Sequence, residues 1–308
     1  MWDENQKTVK STVNFTGIGL HSGKEIKLTL LPAKSDTGVI FQRIDLDKNN
    51  EIIANFKNVC SARLCTKIQN KFGVSVSTVE HLMAAFYICG VDNVVVNVDG
   101  PEIPAMDGSA KDFVHGIKDS GLKILNKKRE FIKITKKIEL KQNDKYISIE
   151  PSDNFFTVKF TLGYKNSLIK TQSNKVSFQE KDLENIYSAR TFCLYEDIEK
   201  IKDLGLAKGG SLENAVVVKG NEVFNGKGLR SKNEFVNHKI LDLVGDFMLV
   251  GKRVIGSINC IRGGHSLTND FLRQVLSDKN NFTTIKNQNS SLNIRKISPV
   301  QKGLVVNA

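Results

Sequence analysis

One segment, EFVNHKILDLVGDF, carries an imidazole and two carboxylates at helical spacing. His238, Asp242 and Asp246 follow one another at steps of four residues, and residues four apart lie on the same side of an α-helix. An imidazole and a carboxylate one turn apart can hold a single metal ion, as the two histidines of an HExxH motif do. Such a pair also arises by chance in a chain with many acidic residues, so the spacing alone leaves an ordinary helix face as the alternative.

A second segment, STVEHLMAAFYICG, places His81 directly after Glu80 at the start of another apolar helix. Together His81, His238 and Asp242 offer two nitrogens and one oxygen, and three protein ligands with one open position are typical of catalytic zinc. Bound Zn²⁺ lowers the pKa of its water to about 7 and polarises a carbonyl. Glu80 would then be the general base. The alternative, which spacing alone favours, is that Ser77 and Glu80 form an S-x-x-E capping box.

A third segment, RGGHSLTNDFLRQVL, places His265 at the start of a further predicted helix. A helix N-terminus disfavours an imidazolium, whereas a nearby carboxylate favours it, and Asp246 is the candidate carboxylate. With Glu80 as base and His265 as acid, the set describes a hydrolase of amides or esters. For His21, in the glycine-rich turn GIGLHSG, a structural and a functional role stay open, whereas we expect Glu102, in GPEIPAMDGSA, to be structural.

The elements that must position these residues form two similar halves on either side of the segment NKKRE. In both halves, short alternating segments predict β-strands. Each half closes with a helix carrying one of the two histidines, a glycine and an apolar strand: STVEHLMAAFYIC, Gly90 and DNVVVNV, then NEFVNHKILDLVGDFMLV, Gly251 and RVIGSINC. Glycine just past a helix is a usual stop. This repeat predicts an α+β protein of two similar domains, each a β-sheet with a helical layer, with His81 and His238 at the seam.

The same pattern predicts domain boundaries. The first α+β domain spans residues 1–126 and the second spans residues 127–280. The segment from residue 281 to residue 308 is polar, carries little core signal and is predicted to be a C-terminal tail.

Composition restricts the class of protein and its partners. Hydrophobic residues make up 40% and charged residues 25% of the 308 residues, which is ordinary for a globular protein. No run approaches 18 apolar residues and no signal-peptide core is present, so we expect a cytoplasmic protein without stable membrane insertion. Five scattered cysteines without a CxxC pair predict reduced thiols. The net charge of +12 suits an anionic substrate. The densest basic cluster, at residues 127–129, lacks the aromatic residues that stack on bases, so we expect no nucleic-acid partner.

The motif set as a whole resembles the UDP-3-O-acyl-N-acetylglucosamine deacetylases, the zinc amidases of lipid A biosynthesis. The matching strings, between residues 6 and 278, are TGIGLHSG, STVEHLMAAF, GPEIPAMDGSA, SARTF, LRSKNEFVNHKILDLVGD and GGHSLTN. The resemblance implies two α+β domains with the helices sandwiched between the sheets. It also implies hydrolysis of the N-acetyl group of UDP-3-O-(3-hydroxyacyl)-N-acetylglucosamine to the free 2-amine and acetate, by a monomer.

The resemblance also implies roles for single residues in the chemistry. Glu80 is the general base, His265 is the general acid or electrostatic partner, and Asp246 tunes His265. Thr191 in SARTF donates a hydrogen bond to the oxyanion. The implied metal is zinc, with Fe²⁺ as the alternative in the cell. Its implied ligands are His81, His238 and Asp242.

For the substrate, the resemblance implies that Lys239 meets anionic or polar parts of the sugar nucleotide and that Phe192 packs against the sugar. It further implies that an insert at residues 193–215 forms a passage for the acyl chain; without the resemblance, its apolar stripe would indicate ordinary core packing. The residues expected to form the passage are the apolar Leu194, Ile198, Ile201, Leu204 and Ala207, together with Gly209 and Gly210, whose backbone would approach the chain. A zinc amidase of another acylated sugar, and a non-enzymatic basic binding module, are the alternative functions.

Overall fold

The structure is a computed structural model that describes residues 4–153, 156–180 and 182–286. Within these ranges the α-helices are α1 (Glu80–Cys89), α2 (Lys111–Ser120), α3 (Glu184–Tyr187), α4 (Ile198–Asp203), α5 (Glu234–Met248) and α6 (His265–Ser277). Short 3-10 turns lie at Phe56–Asn58, Tyr195–Asp197 and Lys279–Asn281. None of the helices in this part of the chain is long and apolar enough to cross a bilayer.

The strands of the described residues are, in chain order, β1 (Asn5–Val9), β2 (Val13–Ile18), β3 (Glu25–Pro32), β4 (Val39–Arg43), β5 (Glu51–Ile53), β6 (Val59–Ser61), β7 (Lys67–Gln69), β8 (Ser75–Val76), β9 (Val94–Val98), β10 (Leu122–Lys128), β11 (Glu130–Ile134), β12 (Ile138–Gln142), β13 (Lys145–Glu150), β14 (Phe156–Gly163), β15 (Thr171–Ser177), β16 (Phe192–Leu194), β17 (Val216–Lys219), β18 (Glu222–Val223), β19 (Arg253–Ile261) and β20 (Phe282–Lys286).

Two main sheets account for most strands, one in each half. The first has the order β2-β3-β9-β4-β5, and the second has the order β12-β13-β19-β11-β20, with β14 joined to β19 and β15 to β14. Period-two alternation gives each sheet a buried face. On β9, Val94, Val96 and Val98 are fully buried, and on β14, Phe156 and Val158 are. The predicted α+β class is confirmed.

Helices α1 and α5 are deeply buried. Every residue of α5 except Lys239 is buried, as expected for a helix with other elements packed on nearly all sides. The predicted order of helix, glycine and strand is present in both halves. Gly90, with φ of 82°, and Gly251, with φ of 78°, adopt the left-handed conformation that favours glycine after a helix. The two histidine-bearing helices therefore lie in the layer that the sequence predicted.

A buried ion-pair network joins the two halves at the C-terminal end of α1. The Asp92 carboxylate accepts hydrogen bonds from Arg129 Nε at 2.8 Å and Nη2 at 2.6 Å. Arg253, at the start of β19, donates to the carbonyl oxygen of Tyr87 at 2.8 Å. Because removal of one partner leaves a buried charge unpaired, such a network resists separation of the halves.

Two predicted boundaries differ from the strands. The boundary predicted between residues 126 and 127 falls inside β10, which pairs with β1. The predicted tail begins too early, because residues 282–286 form β20 and pair antiparallel with β11. Polar residues dominate this segment, and its half-buried residues, Phe282 and Ile285, are too few to give a strand pattern. Residues 287–308 of the predicted tail lie outside the described residues.

Candidate active site

The site forms where α1 and α5 approach each other most closely. A Cβ added at Gly245 would lie 2.0 Å from the carbonyl oxygen of Glu80 and 3.1 Å from its Cα. Any side chain at residue 245 would therefore force the helices apart, since real Cβ atoms do not come this close to backbone. Glycine at this position brings the start of α1, with Glu80 and His81, against the middle of α5, with Asp242 and Asp246.

Three predicted ligands meet at this contact. His81 Nε2 and His238 Nε2 each lie 3.4 Å from Asp242 Oδ1, and one ligand atom from each of the three residues lies within 4.8 Å of the others. All three residues are buried. Asp242 Oδ1 has no hydrogen-bond partner among the described residues, although an unsatisfied buried carboxylate oxygen is costly. A cation between these atoms would satisfy the oxygen, and two nitrogens with one oxygen suit a catalytic metal.

Neighbouring groups orient the ligands. His238 Nδ1 lies 3.1 Å from the carbonyl oxygen of Ala189. A carbonyl only accepts hydrogen bonds, so this contact assigns the proton to Nδ1 and leaves the Nε2 lone pair facing Asp242. Lys239 Nζ donates to Asp242 Oδ2 at 2.8 Å. The second oxygen of the carboxylate is therefore occupied, and Oδ1 remains for a metal.

The electrostatics favour the metal-binding forms of two candidate ligands, His238 and Asp242. Burial lowers the pKa of His238 to about 3, against the opposing effect of Asp242, so the ring is neutral at physiological pH. Burial alone would raise the pKa of Asp242, but the nearby cations Lys239 and His265 help to hold this pKa well below its usual range. Metal binding requires a neutral imidazole and an ionised carboxylate, and both are present.

Glu80 does not cap its helix. Helix α1 begins at Glu80, and its N-cap residue, Val79, makes no side-chain capping bond. Ser77 Oγ donates to the carbonyl oxygen of Pro101 at 3.2 Å, and Glu80 Oε2 accepts from the backbone N–H of Thr66 at 3.0 Å. The capping-box interpretation is therefore wrong. Burial raises the pKa of Glu80, so its carboxylate binds a proton more readily than an exposed one does.

His265 begins α6 and is held as a cation. Its Nδ1 donates to Asp246 Oδ2 at 2.8 Å, and its Nε2 lies 3.7 Å from Glu80 Oε1 and 3.9 Å from Asp242 Oδ2. Burial opposes the imidazolium, but Asp246 and Glu80 outweigh it and raise the pKa of His265 to about 10. The ring is therefore a charged hydrogen-bond donor at neutral pH.

Thr66 joins the buried carboxylates of Glu80 and Asp246, and no pattern in the sequence points to it. Its backbone N–H donates to Glu80, and its Oγ1 donates to Asp246 Oδ1 at 2.6 Å. Thr66 is 2% exposed and lies between strands in the short LCTKI segment, without helical or alternating periodicity. Only the fold brings it to the site.

A cavity of about 310 Å³ lies beside the ligands. Phe192 connects the two regions, because its ring lines the cavity and its centroid is 6.2 Å from that of His238. Lys239 Nζ is 5.8 Å from the centroid of the same ring. The predicted residues Thr191, Ile198, Ile201, Ala207 and Gly210 line the cavity, together with apolar residues that include Leu20, Tyr195, Leu212, Val217 and Phe224.

Three residues expected in the passage, Leu194, Leu204 and Gly209, are not among those that line the cavity. Leu194 lies in β16, and Leu204 ends α4 with half of its surface exposed. Helical spacing failed here because α4 has only six residues, so the stripe does not continue along one face.

His21 lines the cavity. The expected structural role of Glu102 is confirmed, because its carboxylate accepts from the backbone N–H groups of His21 at 2.9 Å and Ser22 at 2.7 Å.

Comparison with known proteins finds similarity along nearly the whole chain. A family model described as UDP-3-O-acyl N-acetylglycosamine deacetylase matches residues 6–277. A relative in Geotalea uraniireducens (strain Rf4) is 44% identical over 273 residues, which are 88% of each chain. A relative in Aliivibrio fischeri (strain ATCC 700601 / ES114) is 40% identical over 306 residues, which are 98% of this chain and 99% of the other. Both are named UDP-3-O-acyl-N-acetylglucosamine deacetylase.

Proposed function

This chain belongs to the UDP-3-O-acyl-N-acetylglucosamine deacetylase family, and we propose that it hydrolyses the N-acetyl group of UDP-3-O-(3-hydroxyacyl)-N-acetylglucosamine in lipid A biosynthesis. The products are acetate and the free 2-amine. The observation that carries the proposal is the unpartnered Asp242 oxygen between two buried imidazole nitrogens. The buried imidazolium of His265 lies 3.9 Å from the other oxygen of Asp242 and 3.7 Å from the buried carboxylate of Glu80, so an acid and a base adjoin the cluster, as hydrolysis of an amide requires.

His81, His238 and Asp242 would hold the metal, for which we propose zinc. Two imidazole nitrogens and one carboxylate oxygen form a donor set that catalytic zinc uses. The same donors also accept Fe²⁺, the alternative metal in the cell. Zinc at this position would supply Lewis acidity to the acetamide carbonyl and to water.

Glu80 would accept the proton of the attacking water. The Thr66 N–H engages Oε2 and leaves Oε1 directed toward His265 Nε2, 3.7 Å away. Burial raises the pKa of Glu80, and a base is most effective when its pKa approaches the working pH. Water at this position would therefore lie between a base and a cation.

His265 would stabilise the developing negative charge and donate a proton to the leaving amine. Asp246 holds Nδ1, so Nε2 carries the proton that can be transferred. Thr191, in the cavity wall, would donate its hydroxyl hydrogen to the oxyanion. Such donors act strongly in a site from which water is excluded.

The substrate would extend from the ligand cluster into the cavity. Its acyl chain would lie among the insert residues Ile198, Ala207 and Gly210, where each buried CH₂ contributes about 0.8 kcal/mol. Its sugar would pack on Phe192, and Lys239 would meet a polar group of the sugar nucleotide. Remote binding of this kind helps to position the reacting carbonyl.

The setting of the reaction is also a proposal. All five cysteines are free, which supports a reducing compartment. We propose that the chain acts as a monomer in the cytoplasm.

Acetate release from the acylated sugar nucleotide, measured with and without a strong chelator, tests the function. We expect release that stops on chelation and returns with zinc. Equal release in both states would contradict a metal-dependent reaction. A chain that releases no acetate but binds nucleic acid with steep salt dependence would instead support the basic binding module.

A further inference from the structure

The SARTF motif contains a buried charge with no role in the proposed reaction. Arg190 is 7% exposed, and its partner, Glu234 at the start of α5, is fully buried. Two opposite charges taken out of water repay the loss of hydration only when their hydrogen bonds are complete and well directed. The pair therefore restrains the two chain segments that carry Arg190 and Glu234.

Four donors converge on the Glu234 carboxylate. Oε1 accepts from Arg190 Nε at 2.7 Å and from the backbone N–H of Arg190 at 3.2 Å. Oε2 accepts from Arg190 Nη2 at 3.1 Å and from the backbone N–H of Arg230 at 2.6 Å. The bidentate contact of the guanidinium sets the angle between the two side chains as well as their distance. The bond from the backbone N–H of Arg190 adds a third restraint. The SARTF segment is thereby tied to the first turn of α5.

The proposed metal centre adjoins this pair along both chain segments. On α5, Glu234 precedes His238 by four residues, which is one helical turn. In the SARTF segment, Ala189 precedes Arg190 and contacts His238 Nδ1 through its carbonyl oxygen at 3.1 Å. Thr191 follows Arg190 and lines the cavity. The Ala189 carbonyl that orients His238 is thus adjacent in the chain to the Arg190–Glu234 pair.

We propose that Glu234 and Arg190 are positioning residues of the metal centre. They hold the Ala189 carbonyl where it keeps His238 Nε2 directed at Asp242, and they set Thr191 at the cavity wall. The inference rests on the proposed function, because it takes His238 as a metal ligand. Mutation of the hydrogen-bond partners of ligand histidines typically lowers metal affinity about 10- to 100-fold. We expect loss of the Arg190–Glu234 pair to lower it on this scale, because the pair positions Ala189.

Glu234→Gln is the first test. The amide places an NH₂ donor against an N–H donor of Arg190 or Arg230, so the segment shifts. We expect zinc affinity, measured by chelator competition, to fall about 10- to 100-fold, and kcat for acetate release to fall with little change in KM. The matched control is Asp92→Asn, which breaks the buried Arg129 pair but touches no site residue. It should cost comparable stability and leave zinc affinity per folded chain unchanged.

A double variant, Arg190→Met with Glu234→Leu, covers the case in which the single variant does not fold. Replacing both buried charges by apolar side chains is often neutral for stability, yet the restraint on Ala189 is lost. We expect a folded chain with weakened zinc binding and, in ¹⁵N spectra, a less uniform His238 tautomer. Wild-type zinc affinity and kcat in this variant would overturn the positioning role while the proposed function stood. Wild-type protein that binds no zinc would overturn both.

Discussion

The ligand cluster and the acyl cavity lie side by side but are built in different ways. The cluster is carried by α1 and α5, helices of 10 and 15 residues that are almost entirely buried. The cavity wall comes partly from β16, α4 and β17, elements of three, six and four residues, and otherwise mainly from segments between elements. Long buried helices hold side chains at fixed distances, whereas short elements and the segments between them provide apolar area with less fixed geometry. Catalysis needs side chains at fixed distances, whereas binding of the acyl chain needs apolar area.

The hydrogen bonds show the same difference. In the cluster, Thr66, Ala189 and Lys239 each bond to a named atom of Glu80, Asp246, His238 or Asp242. In the cavity, most contacts are apolar and have no preferred direction. Substitutions in the cluster should therefore change rate and metal affinity, and substitutions in the cavity should change substrate affinity.

Glu80→Gln should produce the largest effect. The amide keeps an oxygen that can accept from the Thr66 N–H, but it cannot take a proton from water. We expect acetate release to fall about 10²- to 10⁴-fold at near-normal thermal stability. If the variant instead unfolded readily and kept full activity per folded molecule, the carboxylate would be structural.

Gly245→Ala should disturb the cluster through the helix contact. The new Cβ would lie 2.0 Å from the Glu80 carbonyl oxygen, and overpacking typically costs about 1–3 kcal/mol or more. We expect a lower free energy of unfolding in urea together with weaker zinc binding. Gly226→Ala is the control, because an added Cβ there meets no atom within 4 Å. Equal effects of the two substitutions would argue against a close helix contact at the site.

The His265 imidazolium should make the stability of the metal-free chain depend on pH. The folded-state pKa is raised from 6.5 to about 10, so this stabilisation is fully present below pH 6.5 and is lost as the pH rises through about 10. We expect the free energy of unfolding to fall over this window, by at most about 1.4 kcal/mol per pH unit from one proton. His265→Asn should have a flatter profile. Parallel profiles would show that His265 is not held as a cation.

Ala207→Asp should have the smallest effect, confined to one substrate. Residue 207 has a positive φ of 53°, which aspartate tolerates, so the chain should fold. A charge in the cavity should raise KM for the acylated sugar nucleotide by about tenfold, which corresponds to roughly 1.4 kcal/mol, and should hardly change KM for the deacylated one. Leu204→Asp, outside the lining, is the control. Equal responses of both substrates would make the insert ordinary packing.

The sequence predicted the cluster better than its surroundings, for physical reasons. His238 and Asp242 share one helix, so four-residue spacing is enough to place them together, and the repeated helix–glycine–strand order brought in His81. Thr66 carries no periodic signal, because its partner Asp246 is 180 residues away in the chain. Glu234 continues the four-residue spacing of His238, but that spacing does not reveal its partner Arg190, which is 44 residues away. Leu204 was misplaced because helical spacing was extended beyond a short helix. Strand β20 was missed because polar side chains dominate an edge of the second sheet.

The metal content of the folded chain tests the central claim most directly. Wild type loaded with zinc and desalted should contain about one ion per chain, as expected for a site with three protein ligands. His238→Ala and Asp242→Ala should contain almost none while keeping the wild-type circular dichroism spectrum, and Asp246→Ala should keep the ion but turn over slowly. One ion per chain in folded His238→Ala would contradict the assignment of the ligands to the α1–α5 contact.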